Sequence, residues 1–508
     1  MPVGEQLSAL LTAHPGTPET AVVHWKDGSA TLAEVDEAVR ELAQALAGVR
    51  RAPVACVVDR GVDAVVAMFA TWLAGGVYVP VNARLPDTEL HRQLADSAPA
   101  AVIVGETQAS RIPACFTGPA ASSRSGPAAW RLRFRGGWSG GPYPQDAALV
   151  MRTSGTTGQA KPVVMRHRGV LDGIDTVVAR LRRADAARDD RPTVRPAMPN
   201  LIPTSLALWA GIWNTLFAFR LGAPVVLLDR FDALDYATAV KRFEITSSVL
   251  APAMMSMLLA DPRIEDLKPL RLVRSVTAPL VPDQARRFHE RFGVDVLNSY
   301  GQTELGGEVV GWSAADVRRF GEAKLGAVGR AHRGIEVKIL DERHRELPAG
   351  ETGEVYVHSP FATAVAKDRL VDDAMRTGDL GRLDEDGFLW IEGRVSDMIN
   401  RGGLKIVPQD VEAVLRTHPK VADACVAGVP DERLGEVPVA WVIPERGEVP
   451  GEQELRSYLR ARLAPYQVPF AIRLLTGDFP RNEIGKVLRH ALIGSYAADE
   501  SGPKGTTG

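Results

Sequence analysis

Cysteine is scarce: 508 residues hold three, Cys56, Cys115 and Cys425, none in a CxxC spacing. That argues against both a disulfide framework and a zinc site, and it favours a reducing compartment. An excess of one charge is missing too. Sixty basic residues face 62 acidic ones, for a net charge of -2, so no whole-protein field draws the chain to nucleic acid or to an anionic membrane. No uncharged apolar run reaches the roughly 18 residues of a membrane helix. The opening "MPVGEQLSALLTAHPGTPET" also lacks a basic stretch followed by a long apolar core. The expectation is a cytoplasmic protein with neither a nucleic-acid nor a membrane partner, which leaves small neutral or anionic ligands. What remains is ordinary globular composition over a length too great for one hydrophobic core, so at least two domains are expected.

Residues 31–48, "TLAEVDEAVRELAQALAG", place apolar side chains at helical spacing behind a Thr that can cap, and strand-like "APVACVVD" follows. The alternation continues through "VDAVVAMFATWLAGGVYVPV", "DTELHRQLADSA" and "AAVIV". Helices alternating with apolar β-branched strands predict an α/β fold with stacked, mainly parallel sheets. Residues 116–144, rich in Gly, Ser and Pro, read as surface loop. After about residue 320, short alternating strands between Gly and Asp turns predict a small β subdomain. From about 396 a compact α+β unit of roughly 100 residues follows. The expected division is 1–395, 396–495 and a disordered tail at 496–508, where "DESGPKGTTG" has no apolar residue.

The stretch "VMRTSGTTGQAKPVV" (150–164) follows an apolar strand with small and hydroxyl-bearing residues. Such a loop leaves backbone N–H groups uncovered, and Thr153, Ser154, Thr156 and Thr157 add hydroxyl donors, so several donors could converge on a phosphate. It is not a P-loop, because Lys161 stands three residues after Gly158. Downstream, in order, stand "NSYGQTELGG" (298–307), "RTGDLGRLDEDGFLWIEGR" (376–394), "SDMINRGGLKIVPQDVEAVL" (396–415) and "FPRNEIGKVLR" (479–489). With the opening loop, this set resembles the adenylate-forming superfamily of acyl- and aryl-CoA synthetases, nonribosomal-peptide adenylation domains and luciferases, from about residue 20 to 490. Residues 73–104 are similar to a further core region of that superfamily.

The resemblance implies that a carboxylic acid attacks ATP at the α-phosphate and that a thiol then takes the acyl group while a mobile C-terminal domain rotates. ATP and Mg2+ would be required, with CoA as the expected co-substrate. Both reactants are anionic, so charge neutralisation and orientation matter more than acid–base help. By the same resemblance Thr153, Ser154, Gly155, Thr156, Thr157, Gly158 and Lys161 hold the departing phosphates. Ala278, Pro279, Asn298, Ser299, Tyr300, Gly301, Gln302 and Ile391 surround the nucleotide, with Tyr300 on adenine. Thr303 bonds the α-phosphate and Glu304 holds Mg2+, a hard cation that prefers carboxylate oxygen. Asp379 and Arg394 take the ribose. Lys486 is the catalytic lysine, stabilising charge in the transition state. Ser396 occupies the hinge position, or else caps a helix. Gly402, Gly403 and Lys405 belong to the loop facing a pantetheine arm, or form a plain turn.

Several positions depart from the superfamily pattern. "SVTAPL" (275–280) puts Val276 and Thr277 where two glycines usually stand, which would narrow the acid pocket towards a small or flat acid. Segment 199–228 has neither the histidine of acyl-CoA synthetases nor the aspartate that pairs with an amino acid's ammonium. An unpaired ammonium there would cost several kcal/mol, so α-amino acids are disfavoured. Trp209 and Trp213, four apart, could share a helix face towards the acid pocket or belong to the core. His167 is expected to start a helix at the surface. Transfer to a carrier protein, and coupling of nitrite with an amine, are alternative chemistries on the same adenylation framework; a non-catalytic nucleotide-binding relative is disfavoured because the whole constellation is retained.

Overall fold

The computed structural model describes residues 6–117, 120–123, 126–136, 138, 143–153, 161–186, 198–361, 370–481 and 487–501. The chain forms two compact units: Met1–Gly326 with His332–Ile335 and His358–Met375, and Ala327–Ala331 with Glu336–Val357 and Arg376–Gly508.

In the first unit, a seven-stranded sheet runs in the order Ala120–Ser122, Trp130–Phe134, Ala101–Gly105, Pro53–Val57, Val77–Pro80, Ala147–Thr153, Lys161–Arg166. Its four central neighbours are parallel. Strand Pro53–Val57 is buried at every position: Val54 and Cys56 join one core, Ala55 and Val57 another. A strand covered on both faces must be a continuous apolar run, and "PVACV" is one. Helix Gly61–Leu73 is apolar nearly all round and lies in the first of these cores. Its Trp72 is fully buried and donates its indole N–H to the Ala148 carbonyl at 2.7 Å.

A second sheet orders Asn200–Ile202, Val225–Leu227, Ala21–Trp25 and Gly28–Thr31. Thr31 and Glu34 close a reciprocal cap on helix Leu32–Ala45, with bonds of 3.2 and 2.8 Å, so the capping threonine read from the sequence is in place. A third, parallel sheet of Ser247–Leu250, Leu272–Ser275 and Asp295–Leu297 leads into the antiparallel hairpin Ser299–Gln302 and Gly307–Gly311.

Two expectations are corrected here. Residues 116–144 are not all loop: Trp130–Phe134 pairs antiparallel with Ala101–Gly105 and with Ala120–Ser122. "WRLRF" alternates buried Trp130 and Leu132 with arginines, a half-buried strand disguised by Gly, Ser and Pro on either side. His167 does start helix His167–Ala186, but inside the protein. Its Nδ1 accepts the Leu7 N–H at 3.1 Å, and its ring meets Trp72 edge-on at 6.0 Å. Burial pushes its pKa down to about 4, against a weaker upward pull from Asp146.

In the second unit, strands order as Gly329–Ala331, Phe388–Arg394, Ala374–Leu383, Gly353–His358 and Glu336–Leu340, the small β region expected from the sequence. The remaining chain pairs Val421–Asp431 with Gly435–Pro444 along their length, adds Ala471–Leu474 in parallel, and packs helices Pro408–Arg416 and Glu452–Arg460 over one face through Val411, Leu415, Leu455 and Leu459. The other face holds Cys425, Val439, fully buried Trp441, Phe479 and Leu492. Helix Arg489–Ser501 runs into the stretch expected to be disordered. A helix forms there although its last turn is polar. Among the described residues, no helix is long and apolar enough to cross a membrane.

Candidate active site

The first unit brings three of the predicted segments together. Strand Leu272–Ser275 ends at "SVTAPL", and the Ser275 carbonyl accepts the Ser299 hydroxyl at 2.7 Å, tying that segment to the start of the "SYGQTE" hairpin. Val276 continues the sheet through its N–H to the Leu250 carbonyl, 3.1 Å. Thr277 then turns into the left-handed region at φ +73°. A β-branched residue is an outlier there, so the backbone keeps a glycine-like conformation where the superfamily usually has glycine. Ala278 is half-buried and Pro279 exposed.

In the hairpin, buried Asn298 accepts the Ser299 N–H on its own side chain at 3.0 Å and the Trp312 N–H on its carbonyl at 3.2 Å. Tyr300 and Gln302 are half-buried. A methyl group at Gly301 would overlap the Gly307 carbonyl, so only glycine lets the two strands approach this closely. Thr303 and Glu304 sit on a single 3-10 turn, Thr303–Leu305, anchored by buried Leu305, whose carbonyl accepts the Ser359 hydroxyl at 3.1 Å. Both are partly open to solvent.

Trp209 and Trp213 both lie on helix Trp209–Leu221. A side chain built at Gly307 would meet the indole nitrogens of Trp209 and Trp213 at 3.5 and 4.0 Å. The two tryptophans therefore flank the hairpin that carries Thr303 and Glu304. Both also pack on the first core, as the core reading expects. Trp213 stacks on Phe217 at 5.1 Å and 11°. Among the described residues, the Trp209 indole nitrogen and the Ser275 and Thr204 hydroxyls, all buried, have no hydrogen-bond partner.

The second unit places Asp379 and Arg394 opposite each other on paired strands, Oδ1 to Nε 3.0 Å. Asp379 is buried, its N–H donates to Thr377 Oγ1 at 3.1 Å, and that hydroxyl in turn donates to the Val355 carbonyl at 2.7 Å. Ile391 lies half-buried on the Arg394 strand. Ser396 is exposed in the 3-10 turn Val395–Asp397 and donates to Asp397 at 3.1 Å; it caps no helix. Gly402 and Gly403, at φ +59° and +91°, form the two-residue turn between strands Ile399–Arg401 and Leu404–Ile406, the hairpin connection that requires left-handed φ at both central positions. Exposed Lys405 pairs with Glu342.

Ser154, Gly155, Thr156, Thr157, Gly158 and Lys486 lie outside the described residues. Of Thr153 and Lys161 the backbone is described: they face each other as the last pair of two antiparallel strands. Sequence reading missed a charged group beside the hairpin, in which Glu308 Oε1 lies 2.6 Å from Arg274 and 2.7 Å from His332. Glu308 follows "TELGG" directly, which is the signal that could have found it.

These segments define a nucleotide-dependent, adenylate-forming architecture. The profile of the AMP-binding enzymes matches residues 12–367, and that of the AMP-binding enzyme C-terminal domain matches 410–486. The chain belongs to this family, within the adenylate-forming superfamily, and is an AMP-forming ligase. It is 31% identical to an indoleacetate–CoA ligase of Aromatoleum aromaticum over 95% of this chain and 96% of that protein. It is 28% identical to the fatty acid–[acyl-carrier-protein] ligase ScoC of Streptomyces coeruleorubidus, covering 85% of each. Among solved structures, ATP-bound MatB from Rhodopseudomonas palustris superposes with a TM-score of 0.82 at 25% identity, over 97% of this chain and 99% of that one.

Proposed function

We propose that the protein adenylates a flat or small carboxylic acid with Mg-ATP and transfers the acyl group to the thiol of CoA. The observation that carries this reading is the Ser299–Ser275 bond, which sets the Thr303–Glu304 turn and the "SVTAPL" segment side by side next to Trp209 and Trp213. An acid carboxylate oxygen attacks the α-phosphorus and pyrophosphate leaves; the thiol sulfur then attacks the acyl carbonyl and AMP leaves. Thr303 would bond the α-phosphate. Glu304 would hold Mg2+, which needs only one or two carboxylates besides the nucleotide's phosphates, and a carboxylate on a partly exposed turn fits that demand. Lys486 would stabilise the charge of the first transition state, carried by a mobile segment 396–495.

Two indoles beside Gly307 and a threonine at 277 favour a flat acid, in keeping with the indoleacetate ligase relative. The carrier-protein ligase relative supports a second reading, in which phosphopantetheine on a carrier replaces CoA. Three free cysteines accord with a cytoplasmic setting. The test is pyrophosphate release with Mg-ATP over aryl, short-chain, medium-chain and amino acids, with and without CoA, products identified by mass. Acid-dependent release with an acyl-CoA product is expected from aryl acids. Release without a CoA adduct would move the acceptor to a carrier protein or to an amine, and silence across the panel would overturn the reading.

A further inference from the structure

Arg489 stands three residues beyond Lys486 and opens helix Arg489–Ser501. Its guanidinium bridges parts of the chain far apart in sequence. One nitrogen lies 2.7 Å from Glu412 Oε1, another 3.4 Å from Asp397 Oδ2, and the Nε donates to the Val426 carbonyl at 3.2 Å. Glu412, on helix Pro408–Arg416, is buried and also accepts the Val426 N–H at 2.9 Å. Asp397 closes the turn that carries Ser396.

The chain is also held just before the lysine. Arg481 lies 3.2 Å from Asp423 and bridges to Val487, and the Leu488 N–H donates to the Pro480 carbonyl at 2.7 Å. Asp423 in turn meets Arg416 at 2.8 Å. Three carboxylates thus face three arginines at the base of the lysine-bearing segment. Such a partly buried network is a weak general stabiliser compared with apolar packing, but it admits one register. A planar fork holds two carboxylates and a carbonyl in one fixed geometry, which a compact ammonium on a flexible stem does not.

We propose that Arg489 is a positioning residue for the catalytic lysine: by gripping Asp397 and Glu412 together, it fixes where the chain re-emerges after Lys486 relative to the hinge turn. The inference rests on the role proposed above for Lys486. A lysine that must meet a transient charge within a fraction of an ångström loses rate when its mount shifts, by on the order of 10–100-fold.

The test compares Arg489→Lys, Asp397→Asn and Lys486→Ala in the full-length enzyme. Arg489→Lys keeps the charge but loses the fork; Asp397→Asn removes one arm at an accessible turn and leaves the buried Glu412 pair intact. Both are expected to lower kcat for pyrophosphate release by about 10–100-fold, with KM for ATP unchanged, with thioester formation from supplied acyl-adenylate retained, and with the unfolding midpoint of Asp397→Asn at the wild-type value. Wild-type adenylation by both variants while Lys486→Ala is inactive would overturn the positioning role. Equal losses in both half-reactions would also overturn it, reducing the network to general structure. Full adenylation by Lys486→Ala would remove the lysine assignment, and the positioning role with it.

Discussion

Asp379 and Arg394 face each other across two antiparallel strands, carboxylate to guanidinium at 3.0 Å, with the Thr377 hydroxyl bonding the Asp379 N–H from below. The aspartate is buried, so a ribose diol would find an acceptor whose orientation is already set. Asp379→Asn should therefore raise KM for ATP by about 10–100-fold, the worth of a hydrogen bond to a charged group. The loss should appear mainly in KM, read by titrating ATP in the pyrophosphate-release assay.

Thr277 holds φ +73° beside the proposed acid pocket. A non-glycine residue in this conformation carries strain of about 1 kcal/mol or more. Thr277→Gly should be neutral or stabilising, by up to about 1 kcal/mol once glycine's extra chain entropy is counted. It should also admit bulkier acids. Denaturant unfolding and the acid panel measure the two effects; a clear loss of stability would show that the threonine side chain contributes more than its backbone costs.

Gly403 sits at φ +91°, and among the described residues none comes within 4 Å of a side chain built there. Gly403→Val should strain the turn by about 1–3 kcal/mol and block a narrow arm approaching it. Thioester formation should fall more than adenylate formation. Equal effects on both half-reactions would place the acceptor elsewhere.

His167 links pH to stability. Its pKa is about 4 in the folded protein against an ordinary 6.5, so below pH 6.5 the unfolded chain binds the proton first. Its contribution is complete above 6.5 and is lost as pH falls towards 4, by about 3 kcal/mol in all. Asp63 acts in the opposite sense: burial raises its pKa to about 6, so the stability it contributes below its ordinary 3.8 is lost as pH rises through 6. His167→Asn, which keeps an acceptor for the Leu7 N–H, should unmask the Asp63 slope and flatten the acid loss in urea midpoints measured from pH 7 to 4.5. Parallel curves for wild type and variant would contradict the assignment.

The parallel strands and capped helices were legible because burial on both faces leaves uninterrupted apolar runs, as at Pro53–Val57, and because a Thr31–Glu34 cap is local chemistry. Strand Trp130–Phe134 was not legible: its arginines and its Gly-rich flanks suggest loop, and only its partner Ala101–Gly105 makes it a strand. His167 was misplaced for a similar reason, since its burial is a matter of tertiary packing, and the Leu7 N–H that it accepts lies 160 residues away. The nucleotide motifs were legible as strings. The cluster of Arg274, Glu308 and His332 was not, because three separate segments supply it.

Trp72 and Trp441, one in each unit, are sealed from water while most of the other seven tryptophans are not. An indole shut away from solvent emits at shorter wavelength than a wetted one, so each unit contains its own optical gauge. Variants that keep only Trp72 or only Trp441 would follow the melting of each unit separately. Coincident emission shifts would mean a single cooperative transition, and separated shifts would mean that one unit can open while the other stays folded.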